Sequence, residues 1–241
     1  MAKLNQEWTV QPHGELIAVT DGIFTVEGSI VMPLGKFPRR MTVLTLHDGG
    51  TAIWSPVPLH EADMARIESL GPVRFLIVPN QAHRLDLKPW SVRYPEARIL
   101  APPGARKAVA EAAPVDATND IIEDPAITFH IVAGTKADEF ALTVKRRDGT
   151  TLILNDILSN VRHPKGLGAN IMARLLGFGV KRPRTSRPVR RMFVKDPAVL
   201  AKQFKAWAAI RDLRRVIVSH GDVIDRAPDK ALNRAATDFA R

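Results

Sequence analysis

The sequence predicts an α/β protein in which two sheets stack face to face with helices on both outer sides, an αββα sandwich built as one domain over residues 1–241. Three observations lead there. Two stretches of short strand-like runs, residues 15–54 and 127–154, are each followed by helical segments. The run Val-Arg-Phe-Leu-Ile-Val at 73–78 is almost continuously apolar, the pattern of a strand covered on both faces. At 241 residues and 45% apolar, the chain is long enough to bury a sizeable core.

In chain order, residues 15–19 and 23–26 are strand candidates around a Thr-Asp-Gly turn. Residues 41–46 and 51–54 flank His47-Asp48-Gly49-Gly50, a hairpin signal because glycine supplies the positive φ of a tight turn. After Pro58, Met64, Ile67 and Leu70 recur at helical spacing and the pattern stops at Gly71. The strand at 73–78 is followed by a loop with a short helix, a strand at 98–100 and a helix over 105–112. Strands at 127–132, 140–145 and 150–154 make a second set, the last two joined by Arg147-Asp148-Gly149. Residues 166–180 place Leu167, Ile171, Leu175 and Phe178 on one helical face, whereas Pro183 and Pro188 argue against a regular helix over 181–191. Residues 197–211 read as a helix, 216–218 as a short buried strand and 229–240 as a closing helix.

Composition narrows the chemistry. With no cysteine, disulfides, thiolate-held metals and thiol catalysis are excluded. The opening Met-Ala-Lys-Leu-Asn-Gln-Glu-Trp-Thr-Val has no apolar run, and no stretch approaches the roughly 18 apolar residues of a membrane-spanning helix. The expectation is a cytoplasmic protein. Charge is concentrated: between Ile157 and Lys195 there are ten Lys and Arg residues and no Asp or Glu, which accounts for the whole net charge of +10. Such a strip attracts an anionic ligand or surface, or is simply a solvated loop.

Three strand ends carry polar residues where ligands collect in α/β folds. Residues 73–78 run into Pro79-Asn80-Gln81-Ala82-His83-Arg84-Leu85-Asp86, residues 150–154 into Asn155-Asp156, and residues 216–218 into Ser219-His220-Gly221-Asp222. Each has an ordinary explanation, since Asp156, Ser219 or Asp222 can cap a turn or helix and His220 can be a hydrogen-bonded core residue. Together they supply the His and Asp types that hold Zn, Fe or Mn.

The order of these motifs resembles the metallo-β-lactamase superfamily from about residue 41 to 222. Thr150-Thr-Leu-Ile-Leu-Asn-Asp156 is similar to that family's strand ending in a metal-bridging Asp, and Val216-Ile-Val-Ser-His220-Gly221-Asp222 to its closing strand ending in His-Gly. Residues 80–86 take the place of its His-x-His-x-Asp-His motif. Trp54-Ser55-Pro56-Val57-Pro58 and Lys88-Pro89-Trp90 resemble a branch of the family described only as metal-dependent hydrolases of unknown substrate. The departures are specific. Gln81, Leu85 and Asp86 stand where two His and an Asp are usual, Ser55-Pro56 replaces the Asp of the first motif, and residues 133–136 lack the third motif's His, the nearest being His130.

The resemblance implies four metal ligands at most, His83, Asp86, Asp156 and His220, enough for one divalent transition metal rather than two. Asp86 is also a candidate general base and Asn80 a candidate donor to a developing oxyanion, although closing the turn after Pro79 explains Asn80 equally. Two functions stand side by side. One is a hydrolase acting on a small-molecule ester, lactone, thioester or phosphoester. The other is a metal-free binding module, in which His83 and His220 would not converge within about 4–5 Å. The segment 157–195 is expected to form a lid over the substrate pocket, with an anionic membrane surface the alternative and nucleic acid ranked last. His13, His47, His60 and His163 have no partner at ligand spacing, and Trp54, Trp90 and Trp207 read as core or pocket wall.

Overall fold

The computed structural model describes residues 4–32, 35–164 and 166–239. Among these, the first sheet takes its strands in chain order: β1 (Ile17–Thr20), β2 (Ile23–Met32), β3 (Gly35–Thr45), β4 (Thr51–Trp54), β5 (Val73–Ile77) and β6 (Arg98–Leu100). β1 to β4 are antiparallel, and β4, β5 and β6 are parallel. The second sheet runs β7 (Ile127–Ile131), β8 (Phe140–Arg146), β9 (Gly149–Leu154) and β10 (Leu213–Val218), antiparallel except for the β9–β10 pair.

Alternation of side chains along the strands sorts the core into three apolar seams. Val43, Ile53 and Leu76 face outward onto α1 (Glu61–Ser69) and α2 (Leu87–Arg93), meeting Met64, Ile67 and Trp90. Their neighbours Leu44, Trp54, Phe75 and Ile77 face the second sheet and meet Phe140, Leu142, Ile153 and Ile217. Leu152, Leu154, Val216 and Val218 face the opposite side, onto Phe204 and Trp207 of α6 (Pro197–Ala208) and Leu232 of α7 (Pro228–Thr237). Helix, sheet, sheet, helix is the only stacking that buries both faces of both sheets, which is why β5 reads as continuously apolar. α3 (Arg106–Val109) completes the first outer layer, at half the expected length.

Two elements differ from expectation for identifiable reasons. The β2–β3 hairpin has arms of ten and eleven residues. Its extension carries Glu27, Gly28, Pro38, Arg39 and Arg40, which weaken any strand signal. Pro38 is tolerated because this part of β3 pairs only with β2, leaving an edge where no N–H is needed. The basic stretch is not a plain loop either. After α4 (Leu167–Leu176), α5 (Arg187–Phe193) forms with Ser186 at its N-cap, its hydroxyl accepting from Val189 N at 3.5 Å. Pro188 lies in the first turn, where a missing N–H costs nothing, so it starts the helix rather than forbidding it. Lys165 and the last residue of the expected closing helix, Ala240, lie outside the described residues.

Truncating the inter-sheet seam should be expensive. Phe140→Ala, at a position 1% exposed, is expected to lower unfolding free energy by about 3–5 kcal/mol in urea titration. Val199→Ala on the outer face of α6 should change it by less than about 0.5 kcal/mol.

Candidate metal centre

Parallel pairing decides which chain ends meet. Leu154 lies beside Val218, and Trp54 beside Ile77, so the segments leaving these four strands emerge together. Two bonds stitch the sheets there: Arg40 N donates to Ser219 O at 2.8 Å, and Phe140 N to Pro79 O at 2.9 Å. The chain can turn sharply after His220 because Gly221 has φ +101° and packs against the backbone of Asn160, where a Cβ would stand 2.1 Å from the carbonyl oxygen.

His83, Asp156 and His220 converge at this end, with one potential ligand atom from each within 4.8 Å of the others. His220 Nε2 lies 2.8 Å and His83 Nε2 3.3 Å from Asp156 Oδ1. Their side chains are 13%, 8% and 9% exposed for His220, His83 and Asp156, so the cluster is largely buried.

The partners fix the protons. His220 Nδ1 is 2.7 Å from Pro38 O, a carbonyl that only accepts, while Asp156 only accepts at Nε2; both ring nitrogens therefore donate. Burial alone would lower the His220 pKa, but the Asp156 bond and charge and the Pro38 carbonyl outweigh it and raise the value. His83 goes the other way: burial pulls it below its ordinary value, against the charge of Asp156. A neutral His83 donates from Nε2 to Asp156 and accepts at Nδ1 from Ser55 Oγ at 2.6 Å. Asp156 would be raised by burial, yet the two imidazoles hold its carboxylate well below the usual range.

Behind the cluster lies a layer of which the sequence pointed only to Asn80. Asn80 Nδ2 donates to Asp156 Oδ2 at 2.7 Å and to Glu139 Oε2 at 3.3 Å, while its Oδ1 accepts from Ala82 N at 2.8 Å. Glu139, fully buried, accepts from Ile157 N at 2.9 Å; burial and the nearby Asp156 charge push its carboxyl well above the usual range. Ser55 adopts φ +57°, an uncommon conformation that brings its hydroxyl to His83. No motif announces Glu139; the only hint is an acidic residue directly before an apolar strand.

Asp86 does not join the three. Its carboxylate is buried against the guanidinium of Arg39 and accepts from Asn5 Nδ2 at 2.6 Å, so its oxygens are engaged away from the cluster. Asn80, fully buried with its amide hydrogens directed at Asp156 and Glu139, orients a carboxylate instead of facing substrate. His130 bonds Thr143 Oγ1 at 3.0 Å on the second sheet, and Gly134, where a third motif would fall, accepts from Lys195 N and Asp196 N at the start of α6.

The donor set fits one ion. Two imidazoles and a carboxylate, each imidazole steadied through its other nitrogen, would form the three-ligand arrangement of catalytic zinc and non-haem iron sites once the Nε2 protons are displaced.

Neither a protein-family profile nor a curated protein matches the chain. Solved structures do match. The metallo-β-lactamase FIM-1 from Pseudomonas aeruginosa in its mono-zinc form aligns over 95% of this chain and 96% of its own, at 12% identity and TM-score 0.62. The DIM-1 metallo-β-lactamase aligns over 95% and 99%, at 14% identity and TM-score 0.63. A metallo-β-lactamase from Hirschia baltica aligns over 92% and 97%, at 16% identity and TM-score 0.58. The chain thus has the metallo-β-lactamase fold, of which it is a divergent example.

The buried layer can be tested without any ligand. Glu139→Ala leaves Asn80 and Ile157 N short of a partner and should cost about 1–3 kcal/mol in chemical denaturation. Glu139→Gln, matching a neutral acid in shape, should cost clearly less.

Proposed function

We propose that this protein is a metal-dependent hydrolase that binds one divalent transition ion (zinc, iron or manganese) through His83, Asp156 and His220 and acts on a small-molecule ester, lactone, thioester or phosphoester. The observation that carries this reading is the convergence of the three donor side chains within 4.8 Å at the strand ends. An ion held there supplies Lewis acidity toward a carbonyl or phosphoryl oxygen and acidifies water.

The chain's own residues prepare the site. Ser55 and the Pro38 carbonyl orient the two imidazoles, and Asn80 orients Asp156. Arg39 is anchored by Asp86, and its charge is a minor influence that lowers both imidazoles, although His220 remains raised on balance by Asp156 and the Pro38 carbonyl. Phe37 lies against His220 with ring centroids 5.0 Å apart and walls the approach. It also lines a neighbouring cavity of about 450 Å³ with His13, Lys36 and His163, a cavity that none of the three donor residues lines but that is of a size suited to a small molecule.

A metal-free binding module is the second reading. In its favour, the carboxylate of Asp156 is fully hydrogen-bonded by Asn80, His83 and His220 without an ion.

Metal analysis and zinc or manganese titration separate the two. The hydrolase reading expects close to one equivalent, lost in His220→Ala and Asp156→Ala. Asp86→Asn is expected to keep the metal while lowering stability, because it weakens the hold on a buried guanidinium. Chelator-free protein with neither bound metal nor tight binding on titration would overturn the hydrolase reading and leave the metal-free one.

A further inference from the structure

The helix α4 has an inside-out surface. Its buried side consists of Ala169, Met172 and Ala173, which seat it on the protein. Its larger apolar residues point the other way: Leu167 is 81%, Ile171 51% and Leu175 62% exposed. At spacings of four they form a continuous outward stripe, and nothing among the described residues covers it. A lid that closed by turning this stripe onto the protein would bury these residues, whereas here they face outward.

Charge surrounds the stripe. Arg174 lies on the same outer side of α4, and Arg187 of α5 donates to Leu175 O at 2.9 Å, which joins the basic face of α5 to the end of the stripe. Arg191, one turn beyond Arg187, is exposed, as is its neighbour Met192 at 55%. The segment from Ile157 to Lys195 contains no acidic residue that would neutralise them.

We infer that this face docks the protein on an anionic lipid surface: the Leu167–Ile171–Leu175 stripe enters the interfacial layer while Arg174, Arg187 and Arg191 meet the headgroups. Exposed apolar residues along one side of a helix, rimmed by cations, are the pattern of a helix lying in the plane of a membrane. Charge complementarity selects this occupant. A second copy of the chain would bring one acid-free basic face against another. Nucleic acid would leave the aliphatic stripe without a role, and the outer side of α4 carries no aromatic ring on which a base stacks.

Docking there would also orient the candidate site. The chain leaves α4 through Phe178, whose ring packs edge-on to Phe37 at 4.5 Å, and Phe37 in turn lies 5.0 Å from the His220 ring. His163, just before α4, lines the same cavity as Phe37. Two phenyl rings thus run from the C-terminal end of α4 to the His220 ring. A substrate arriving from the lipid layer would enter along that path. The docking itself is independent of the metal.

Co-sedimentation of the full chain with mixed phosphatidylglycerol–phosphatidylcholine vesicles, and with phosphatidylcholine alone, tests this at about 0.15 M salt, where the Debye length is about 8 Å. The wild type should pellet with the anionic vesicles and much less with the neutral ones. Replacing Leu167, Ile171 and Leu175 by Ser together should abolish pelleting although every charge remains. Arg174→Gln or Arg191→Gln should each weaken it about fivefold. All of these side chains are exposed, so circular dichroism should be unchanged. Failure of the wild type to bind, or binding by the triple variant equal to wild type, would overturn the inference. So would gel filtration showing a dimer that the triple variant dissociates, or nucleic-acid binding tighter than vesicle binding. Metal-stripped protein should bind vesicles as well as loaded protein, which keeps this result separate from that of the metal titration.

Discussion

The negative charge of Asp156, buried where the two sheets meet, is the constraint on which the rest of this end of the molecule depends. An ionised carboxylate removed from water persists only if it is paired and hydrogen-bonded. Here its three partners come from two other segments: Asn80 and His83 after β5, and His220 after β10. Each partner is itself held, by Ala82 N and Glu139, by Ser55 and by the Pro38 carbonyl respectively. Glu139 shows the same constraint from the other side. Burial and the charge of Asp156 push the carboxyl of this second acid well above its usual range, while Asn80 and Ile157 N donate to its two oxygens.

This network also fastens the sheets together. Arg40 crosses the seam, its backbone N–H bonding Ser219 O and its guanidinium reaching Thr25, Glu27 and the Gly221 carbonyl. Beneath it Trp54 Nε1 donates to Ser219 Oγ at 3.4 Å. The long β2–β3 hairpin therefore serves as a strap from the first sheet onto the closing motif of the second. Arg39, next along the strap, is held in place by Asp86. Loss of one member of such a buried pair costs far more than the pair contributes, so these contacts matter chiefly for holding a single arrangement.

Charge is divided between two regions of the chain. Outside residues 157–195 the basic and acidic residues balance, and within them every charge is positive. That segment forms two short helices, with Arg182 paired to Asp238 and Arg190 lying over Phe239 at 5.0 Å. Some of its cations thus tie it to α7, while those on the far side face solvent together with the apolar residues of α4.

Much of this was legible in the chain. Apolar runs marked β4, β5, β8 and β9 almost to the residue, and the three polar strand ends singled out His83, Asp156 and His220, because strand periodicity and strand-end position are local properties. The extended arms of β2 and β3 were hidden because charged residues there are satisfied only across the sheet. α5 was missed because Pro188 breaks a helix or begins one according to its position in the turn. Asp86 looked as ready to join the cluster as His83, only three residues away. The sequence by itself determined the sandwich and the residue types gathered at its edge. Tertiary structure alone decided that Asp86 turns to Arg39, that Glu139 and Ser55 stand behind the cluster, and that the apolar side of α4 faces outward. Those outcomes depend on which groups from distant segments arrive to satisfy a buried charge or cover an apolar face, and local sequence carries no record of that.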